Sequence, residues 1–159
     1  MTEPKFVPKT GQTDYTNIRY APVINCVVVC DGKILLVKRN LHMRLYPNYW
    51  NGISGFLDDQ QSITEKVHEE LREELHLLPE SIRLVTVMQP LLQEAAEYSK
   101  TWLIVPVRVE VATDQIELDW EAIEARWFAP EEVQGLRLLP GFSGVLEATI
   151  PDMLPAGKL

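Results

Sequence analysis

Two apolar runs joined by a two-residue turn constrain the fold of this chain more than any other feature. Residues 22–30 (PVINCVVVC) and 33–38 (KILLVK) are rich in β-branched side chains, and Asp31-Gly32 separates them. An Asp-Gly pair between such runs is the strongest short signal of a β-hairpin. A strand with one face in water alternates apolar and polar residues, and these runs do not alternate. We therefore predict a hairpin within a sheet that helices cover on both faces.

The two cysteines, Cys26 and Cys30, both lie on the first of these runs. Four residues of strand span roughly 13 Å, which is too far for a disulfide bond. Neither cysteine has a histidine or another cysteine at the spacing of a zinc site. We predict two free, buried thiols that pack like small apolar side chains.

The chain divides into a short polar arm and one domain. Residues 1–19 are polar and contain Pro4, Pro8 and Gly11, which predicts an extended arm. Residues 20–159 contain no repeat, linker or low-complexity tract, so we predict that they form a single domain. No segment resembles a signal peptide or reaches the length of a membrane span, which favours a cytoplasmic location.

Strands and helices alternate through the rest of the chain, which is typical of an α/β or α+β fold. We predict strands over residues 82–89, 101–112 and 125–128, with a helical region that begins at Pro130. Pro106 interrupts the second of these strands and favours an edge position or a bulge there. Residues 91–99 join two strands that we expect to be neighbours, and we predict a loop that faces a substrate.

The acidic balance of the sequence excludes several kinds of partner. The chain has 15 Lys and Arg residues against 23 Asp and Glu residues, which gives a net charge of −8. Nucleic-acid polymers and anionic membranes attract basic surfaces, so we expect neither as a partner. An anionic small molecule remains compatible if metal cations stand between it and the protein.

The acidic residues concentrate on one predicted helix, residues 62–76 (SITEKVHEELREELH). Ser62 and Glu65 form a capping box at its start. At about 100° per residue, the helix places four apolar residues in one core-facing stripe. The same geometry places Glu74 between two positions of the stripe and Glu70 at its edge. The stripe consists of Ile63, Val67, Leu71 and Leu75.

Two explanations of these glutamates remain open. In the first, Glu70, Glu73 and Glu74 converge on a divalent cation, because clustered carboxylates repel one another unless a cation neutralises them. Ligands that offer only oxygen suit Mg²⁺ or Mn²⁺. In the second, the helix has an ordinary solvated face with the ion pairs Lys66–Glu70 and Glu69–Arg72.

The spacing of the glutamates resembles the signature of the Nudix hydrolase family, the MutT-related pyrophosphohydrolases. That signature has a glycine, five residues, a glutamate, seven residues, and then Arg-Glu-apolar-x-Glu-Glu-x-Gly-apolar. With Gly55 in the first position, residues 70–74 (ELREE) and Leu77 match the signature without a gap. The resemblance covers about residues 20–150, and it implies an α/β fold in which helices sandwich a mixed β-sheet.

Three positions depart from the signature. Gln61 replaces the first glutamate, Glu69 replaces the arginine and His76 replaces the second glycine. In the family the arginine pairs with the metal-binding glutamates and orients them, so Glu69 adds a negative charge where the family has a positive one. The trio of glutamates that are the family's metal ligands is retained.

The resemblance implies a Mg²⁺-dependent hydrolase, with Mn²⁺ as a substitute, that cleaves a diphosphate bond in a nucleoside diphosphate linked to another moiety. It places Glu73 in the metal site and in the catalytic set. In several members the general base is a glutamate about six residues before the closing tryptophan. In this chain that count leads from Trp127 to Glu121. Glu121 fits an exposed loop carboxylate equally well.

Four further residues are candidates for contact with the substrate. Arg39 and Arg44 flank the expected cleft and carry charges opposite to that of a diphosphate. Gly55 lies in a loop whose backbone amides can help to place the ligand, and Asp58 occupies a position that is acidic in many members. The expected partner is a small-molecule diphosphate, and a homodimer is compatible because many relatives are homodimers.

Two alternatives to this enzyme use the same fold. The first is a nucleotide-binding or regulatory domain in which hydrolysis is weak or lost, and Glu69 is the residue that motivates it. The second is an isoprenoid-diphosphate isomerase. That chemistry uses a cysteine in the cleft, and we predict that Cys26 and Cys30 are buried in the first strand, so the isomerase is disfavoured.

Overall fold

The computed structural model describes residues 3–155. Residues 3–19 contain turns but no helix or strand, and the first strand follows directly. Within the described range the elements are β1 (Tyr20–Cys30), β2 (Lys33–Arg39), β3 (Trp50–Asn51), β4 (Ile53–Phe56), α1 (Ile63–Leu75), β5 (Ile82–Val87), β6 (Leu91–Ala95), β7 (Lys100–Val111), β8 (Ala122–Phe128) and α2 (Phe142–Thr149). Short 3₁₀ turns occur at Pro79–Ser81, Ala96–Tyr98 and Pro130–Val133.

The predicted hairpin is confirmed. β1 and β2 are antiparallel and Cys30 pairs with Lys33, so the turn is the two residues between them. Asp31 has φ 48° and Gly32 has φ 74°. Positive φ at both central residues is the geometry that favours Asp-Gly in tight hairpins.

The strands form one mixed sheet with β1 at its centre. β1 runs parallel to β7 and antiparallel to β2 and β4. β2 also pairs with β3 and β8, and β7 also pairs with β5 and β6, all of them antiparallel. The combination of parallel and antiparallel pairs confirms the mixed sheet that the resemblance implied.

Each face of the sheet carries one apolar cluster under one helix, which confirms the sandwich. The cluster on one face joins strand residues to the buried stripe of α1, and the cluster on the other face joins strand residues to α2. The first includes Ile24, Cys26, Val28, Val67, Leu71 and Leu75. The second includes Val27, Val29, Trp102, Phe142 and Leu146. Both cysteines are free and buried, as predicted.

The prediction that Pro106 marks an edge or a bulge is wrong. β7 is an interior strand, with β1 on one side and both β5 and β6 on the other. The Pro106 carbonyl accepts a hydrogen bond from the Met88 N–H (2.9 Å), at the point where β5 has ended and β6 has not yet begun. The proline therefore lies where the ladder is already interrupted, and its missing N–H costs no strand pairing.

The prediction of a loop over residues 91–99 is also wrong. Residues 91–95 form β6 and pair with residues 100–104 of β7. The 3₁₀ turn Ala96–Tyr98 and Ser99, which has φ 54°, reverse the chain between the two strands. Neither helix among the described residues is long and apolar enough to cross a membrane.

Candidate functional site

Helix α1 is held at both ends, and this fixes the position of its glutamates. Ser62 Oγ accepts a hydrogen bond from the Glu65 N–H (3.2 Å), and the Glu65 carboxylate accepts one from the Ser62 N–H (3.1 Å), which confirms the predicted capping box. At the other end, His76 takes the left-handed conformation at φ 56° that favours glycine. Its backbone N–H donates to the Arg72 carbonyl (3.0 Å) and completes the cap.

A cavity of about 710 Å³ opens beside the polar side of α1. Its lining includes Glu70, Glu73 and Glu74 from the helix, together with Glu121 from the loop before β8. Glu73 is exposed, whereas the other three are partly buried. We call Glu70, Glu74 and Glu121 the Glu74 group, because Glu74 interacts with both of the others.

Glu74 has the most unusual environment in this group. Its Oε2 atom is buried and has no hydrogen-bond partner among the described residues. Burial, followed by the charges of Glu121 and Glu70, raises the pKa of Glu74 well above its ordinary value. Burial and the charges of Glu73 and Glu121 raise the pKa of Glu70 to about 8. Without a cation, burial and mutual repulsion therefore disfavour the charged forms of Glu70 and Glu74.

Glu121 is held by its backbone from two sides. Its N–H donates to Asp119 Oδ1 (3.0 Å), and its carbonyl accepts from the Asn40 N–H (2.7 Å). Burial raises the pKa of the Glu121 carboxyl. The side chain is thus partly buried beside Glu74, unlike an exposed loop carboxylate. Its role as a general base stays a prediction.

Gly55 lies in strand β4, directly beneath Glu70, and the prediction that it lies in a loop is wrong. A Cβ atom at this position would stand 2.5 Å from the Glu70 carboxyl carbon and its Oε1 atom. Only a residue without a side chain lets the carboxyl group of Glu70 pack against β4. The structure therefore gives Gly55 a steric role towards Glu70, and its predicted contact with substrate stays a prediction.

The two predicted substrate-binding arginines both line the cavity but differ in burial. Arg39 is partly buried, and its Nε donates to the Leu45 carbonyl (3.0 Å). It lies near Glu121 and Glu74 but forms no ion pair with either among the described residues. Arg44 is exposed, and its backbone N–H donates to Glu3 Oε2 (2.7 Å).

A second group of charges, which we call the Lys66 cluster, was not predicted from the sequence. The Lys66 ammonium group lies 2.9 Å from Asp59 Oδ2, 3.0 Å from Glu69 Oε2 and 3.5 Å from Asp58 Oδ1. Gln61 Nε2 donates to both Asp59 Oδ2 and Glu69 Oε2 (2.9 Å each). The ion pairs that the solvated-face explanation requires, Lys66–Glu70 and Glu69–Arg72, are absent from the described residues.

The loop before α1 explains this difference. It folds over the start of the helix and buries Lys66, which is only 4% exposed, among carboxylates that precede it in sequence. Burial opposes the charge on Lys66, but the hydrogen bonds to Asp59 and Glu69 outweigh it and raise the pKa of the lysine. Asp58 also accepts a hydrogen bond from Gln12 Nε2 (2.9 Å), so both sides of its carboxylate face protein groups. Its predicted contact with a ligand stays a prediction.

A second feature that was not predicted from the sequence is a pair of buried amide side chains at the cavity. Asn25 Nδ2 donates to Asn51 Oδ1 (2.9 Å), and both side chains line the cavity. Asn25 interrupts the apolar run of β1, and this interruption is the sequence signal that could have identified it.

The chemistry of the donors fits a hard divalent cation. Among residues 3–155, no group of three or more His, Cys, Asp or Glu side chains is arranged so that it could bind a metal ion. The unpartnered Glu74 oxygen and its neighbours nevertheless supply only carboxylate oxygens, which Mg²⁺ and Mn²⁺ prefer. A cation at this position would satisfy an oxygen that has no hydrogen bond.

Solved structures share this fold at low sequence identity. The MutT NUDIX hydrolase from Burkholderia pseudomallei has a TM-score of 0.68 at 19% identity, covering 82% of this chain and 98% of that chain. The MutT protein from Methanosarcina mazei Go1 has a TM-score of 0.65 at 20% identity, covering 79% and 88%. The NUDIX domain of Shewanella oneidensis NrtR, solved with ADP ribose, has a TM-score of 0.63 at 16% identity, covering 81% and 84%.

Family membership follows from the sequence rather than from the fold alone. No curated protein matches it. It does match the NUDIX domain over residues 19–148, a range that contains the sheet, α1, Glu121 and most of α2. Because this match spans most of the chain and agrees with the fold, the chain is a member of the NUDIX domain family.

Proposed function

We propose that the protein hydrolyses a diphosphate bond in a nucleoside diphosphate linked to another moiety, in a reaction that depends on Mg²⁺. The observation that carries the proposal is the buried Glu74 oxygen without a hydrogen bond, next to Glu70 and Glu121 in a cavity of about 710 Å³. An unpaired buried carboxylate costs several kcal/mol, and a cation removes that cost. The volume suits a small-molecule ligand.

We assign two roles to the glutamates of the cavity, which are binding of the cation and activation of the attacking water. Glu70, Glu73 and Glu74 would hold Mg²⁺, which when bound neutralises diphosphate oxygens and lowers the pKa of water. Glu121 would take the proton from the attacking water while the water oxygen bonds to phosphorus. The bond from that phosphorus to its bridging oxygen then breaks, and two phosphorylated products leave.

Two positive side chains support an anionic substrate. Arg39 and Arg44 line the same cavity as the glutamates. Arg39 is partly buried beside Glu121 and Glu74, where a fixed cation can offset the charge of a diphosphate. The similar NUDIX domain of Shewanella oneidensis NrtR, solved with ADP ribose, also supports a nucleotide-linked diphosphate as the class of ligand.

The alternative is a binding or regulatory domain in which hydrolysis is weak or lost. Its motivation is the negative charge of Glu69 at the position where the family has arginine. In the structure, the Glu69 carboxylate contacts Lys66 and Gln61, so its charge is compensated. This compensation favours the enzyme over the alternative.

The test is turnover of a panel of nucleoside diphosphate conjugates, nucleoside triphosphates and dinucleoside polyphosphates with Mg²⁺ or Mn²⁺. We expect the wild type to be active and Glu73→Gln and Glu74→Gln to lose at least about 100-fold in kcat, as when a charge that stabilises the transition state is removed. Glu80→Gln, at an exposed glutamate outside the cavity, is the control and should retain activity. Binding without turnover across the whole panel would establish the alternative.

A further inference from the structure

The N-terminal arm, residues 3–18, forms part of the wall of the same cavity. Phe6, Gln12 and Asp14 line the cavity together with the glutamates of α1. The arm is attached to two different loops that border the cavity. The Glu3 carboxylate accepts the Arg44 N–H (2.7 Å) in the loop before β3, and the Thr13 N–H donates to the carbonyl of Asp58 (2.6 Å) before α1.

One buried lysine fastens the end of the arm that joins the domain. Lys100, the first residue of β7, is 5% exposed. Its ammonium group donates to the backbone carbonyls of Tyr15, Thr16 (3.2 Å) and Ile18. It forms no ion pair with a carboxylate in the described part of the chain. A buried ammonium group is costly without hydrogen bonds, so the arm and Lys100 depend on each other.

Two further contacts hold the arm, one with the sheet and one with the loop before α1. The ring of Tyr15 stacks on Phe56 of β4 with 6.0 Å between centroids and 8° between planes. Gln12 Nε2 donates to the Asp58 carboxylate (2.9 Å). The arm precedes the matched NUDIX range, residues 19–148. It therefore adds to the cavity a part of the wall that lies outside the matched domain.

We propose that the arm, which Lys100 holds in place, determines which substrates the cavity accepts. The arm would select among them by the group that is attached to the diphosphate. The inference rests on the proposed function of the same cavity. Because the arm crosses from one bordering loop to the other, it limits the length of a ligand that reaches the glutamates. Compact conjugates fit beside it, whereas a second nucleotide on a polyphosphate chain requires the arm to move.

The first measurement asks whether Lys100 holds the arm, and it needs no ligand. Lys100→Met removes the ammonium group and keeps most of the side-chain volume. We expect trypsin to cleave after Lys9, an exposed residue of the arm, at least about 10-fold faster in this variant. Lys33→Met, at an exposed lysine outside the cavity, is the matched control and should be cleaved as the wild type is. The double variant Gln12→Ala/Thr13→Pro removes the two bonds to Asp58 and tests the same release if Lys100→Met does not fold.

The second measurement compares ADP-ribose with diadenosine tetraphosphate in the wild type and in these variants. Both kcat/KM and the equilibrium Kd are measured, the latter with Ca²⁺ in place of Mg²⁺. We expect release of the arm to raise the preference for the longer compound at least about 10-fold. Release of the arm without a change in substrate preference would overturn the inference. Failure of both variants to release the arm would also overturn it. Binding without turnover contradicts only the proposed function, because the Kd values still report the preference.

Discussion

The Lys66 cluster and the Glu74 group lie side by side along α1, yet the pKa values of their carboxyl groups shift in opposite directions. In the Lys66 cluster, one buried ammonium group contacts three carboxylates. Hydrogen bonds from Lys66 lower the pKa of Asp59, and with Gln61 they lower that of Glu69 although burial opposes the shift. In the Glu74 group, burial and mutual repulsion raise the pKa values of Glu74 and Glu70 instead.

Under the proposed function, the difference separates a structural role from a cation-binding role on one helix. In the Lys66 cluster each carboxylate is in ion-pair contact with the Lys66 ammonium group, although the buried Asp58 Oδ1 atom, 3.5 Å away, has no hydrogen bond among the described residues. The cluster ties the loop before α1 to the helix. The Glu74 group has no cationic side chain in ion-pair contact among residues 3–155. A cation bound from solution would complete it, and variants at each group should therefore differ in what they damage.

Breaking the Lys66 cluster should have the largest effect on stability. Lys66→Met leaves buried and partly buried carboxylates without their cation, and we expect the free energy of unfolding to fall by about 3–5 kcal/mol. Urea denaturation followed by tryptophan fluorescence measures the change. A loss below about 1 kcal/mol would show that solvent, rather than Lys66, neutralises these acids.

Replacing Glu69 with the arginine of the family signature should lower stability by about 2 kcal/mol and should not raise the rate. The new guanidinium group would stand beside Lys66 and lose the hydrogen bond from Gln61. Thermal unfolding and kcat are measured for Glu69→Arg and for Lys66→Ala/Glu69→Arg. The double variant should be more stable than Lys66→Ala alone, because the arginine can replace the lost cation. A faster Glu69→Arg enzyme would mean that Glu69 weakens the wild type.

The pH dependence of stability should reveal the Glu74 group. Its members have raised pKa values, so their contribution is fully present below the unfolded pKa near 4.5 and is lost as pH rises through the folded value, about 8 for Glu70. Without metal, we expect Tm to fall by about 5 °C, or roughly 2 kcal/mol, between pH 5 and pH 8.5. Mg²⁺ should restore Tm at pH 8.5, and Glu74→Gln should flatten the curve. The lowered pKa values of Asp59 and Glu69 act in the opposite direction, and their contribution is lost as pH falls through those lowered values.

Crowding Glu70 from below should give the smallest effect. The Cβ atom of Gly55→Ala would overlap the Glu70 carboxyl group and push it from β4. We expect about 1 kcal/mol of destabilisation and about 10-fold weaker Mg²⁺ binding, measured by titration calorimetry. Gly144→Ala is the control, since its Cβ atom would meet Leu91 at an ordinary 3.4 Å. Unchanged Mg²⁺ affinity in Gly55→Ala would remove Glu70 from the metal site.

The features that depend on short stretches of chain could be predicted from the sequence. Asp31-Gly32 is sufficient for the hairpin, and Ser62 with Glu65 is sufficient for the start of α1. The helical period also predicted that Glu74 lies among core positions, and its buried oxygen agrees. Each of these features depends on residues a few positions apart.

The features that failed depend on how distant segments meet. The burial of Lys66 requires the loop before α1 to fold back over the helix, and no periodic pattern encodes that path. Pro106 is tolerated in an interior strand only because β5 and β6 leave a gap beside it. The contact of Lys100 with the arm joins residues more than 80 positions apart in sequence.

The buried thiol of Cys26 lies on the face of β1 that α1 covers. Burial, together with the charges of Glu70 and Glu74, raises its pKa well above the ordinary value. A thiol reagent can react with Cys26 only when α1 separates from the sheet, so the rate of modification measures how often that separation occurs. A bound cation would hold the helix in place through its carboxylates. The rate at which Cys26 is modified should therefore be lower when the cation is bound than when it is absent.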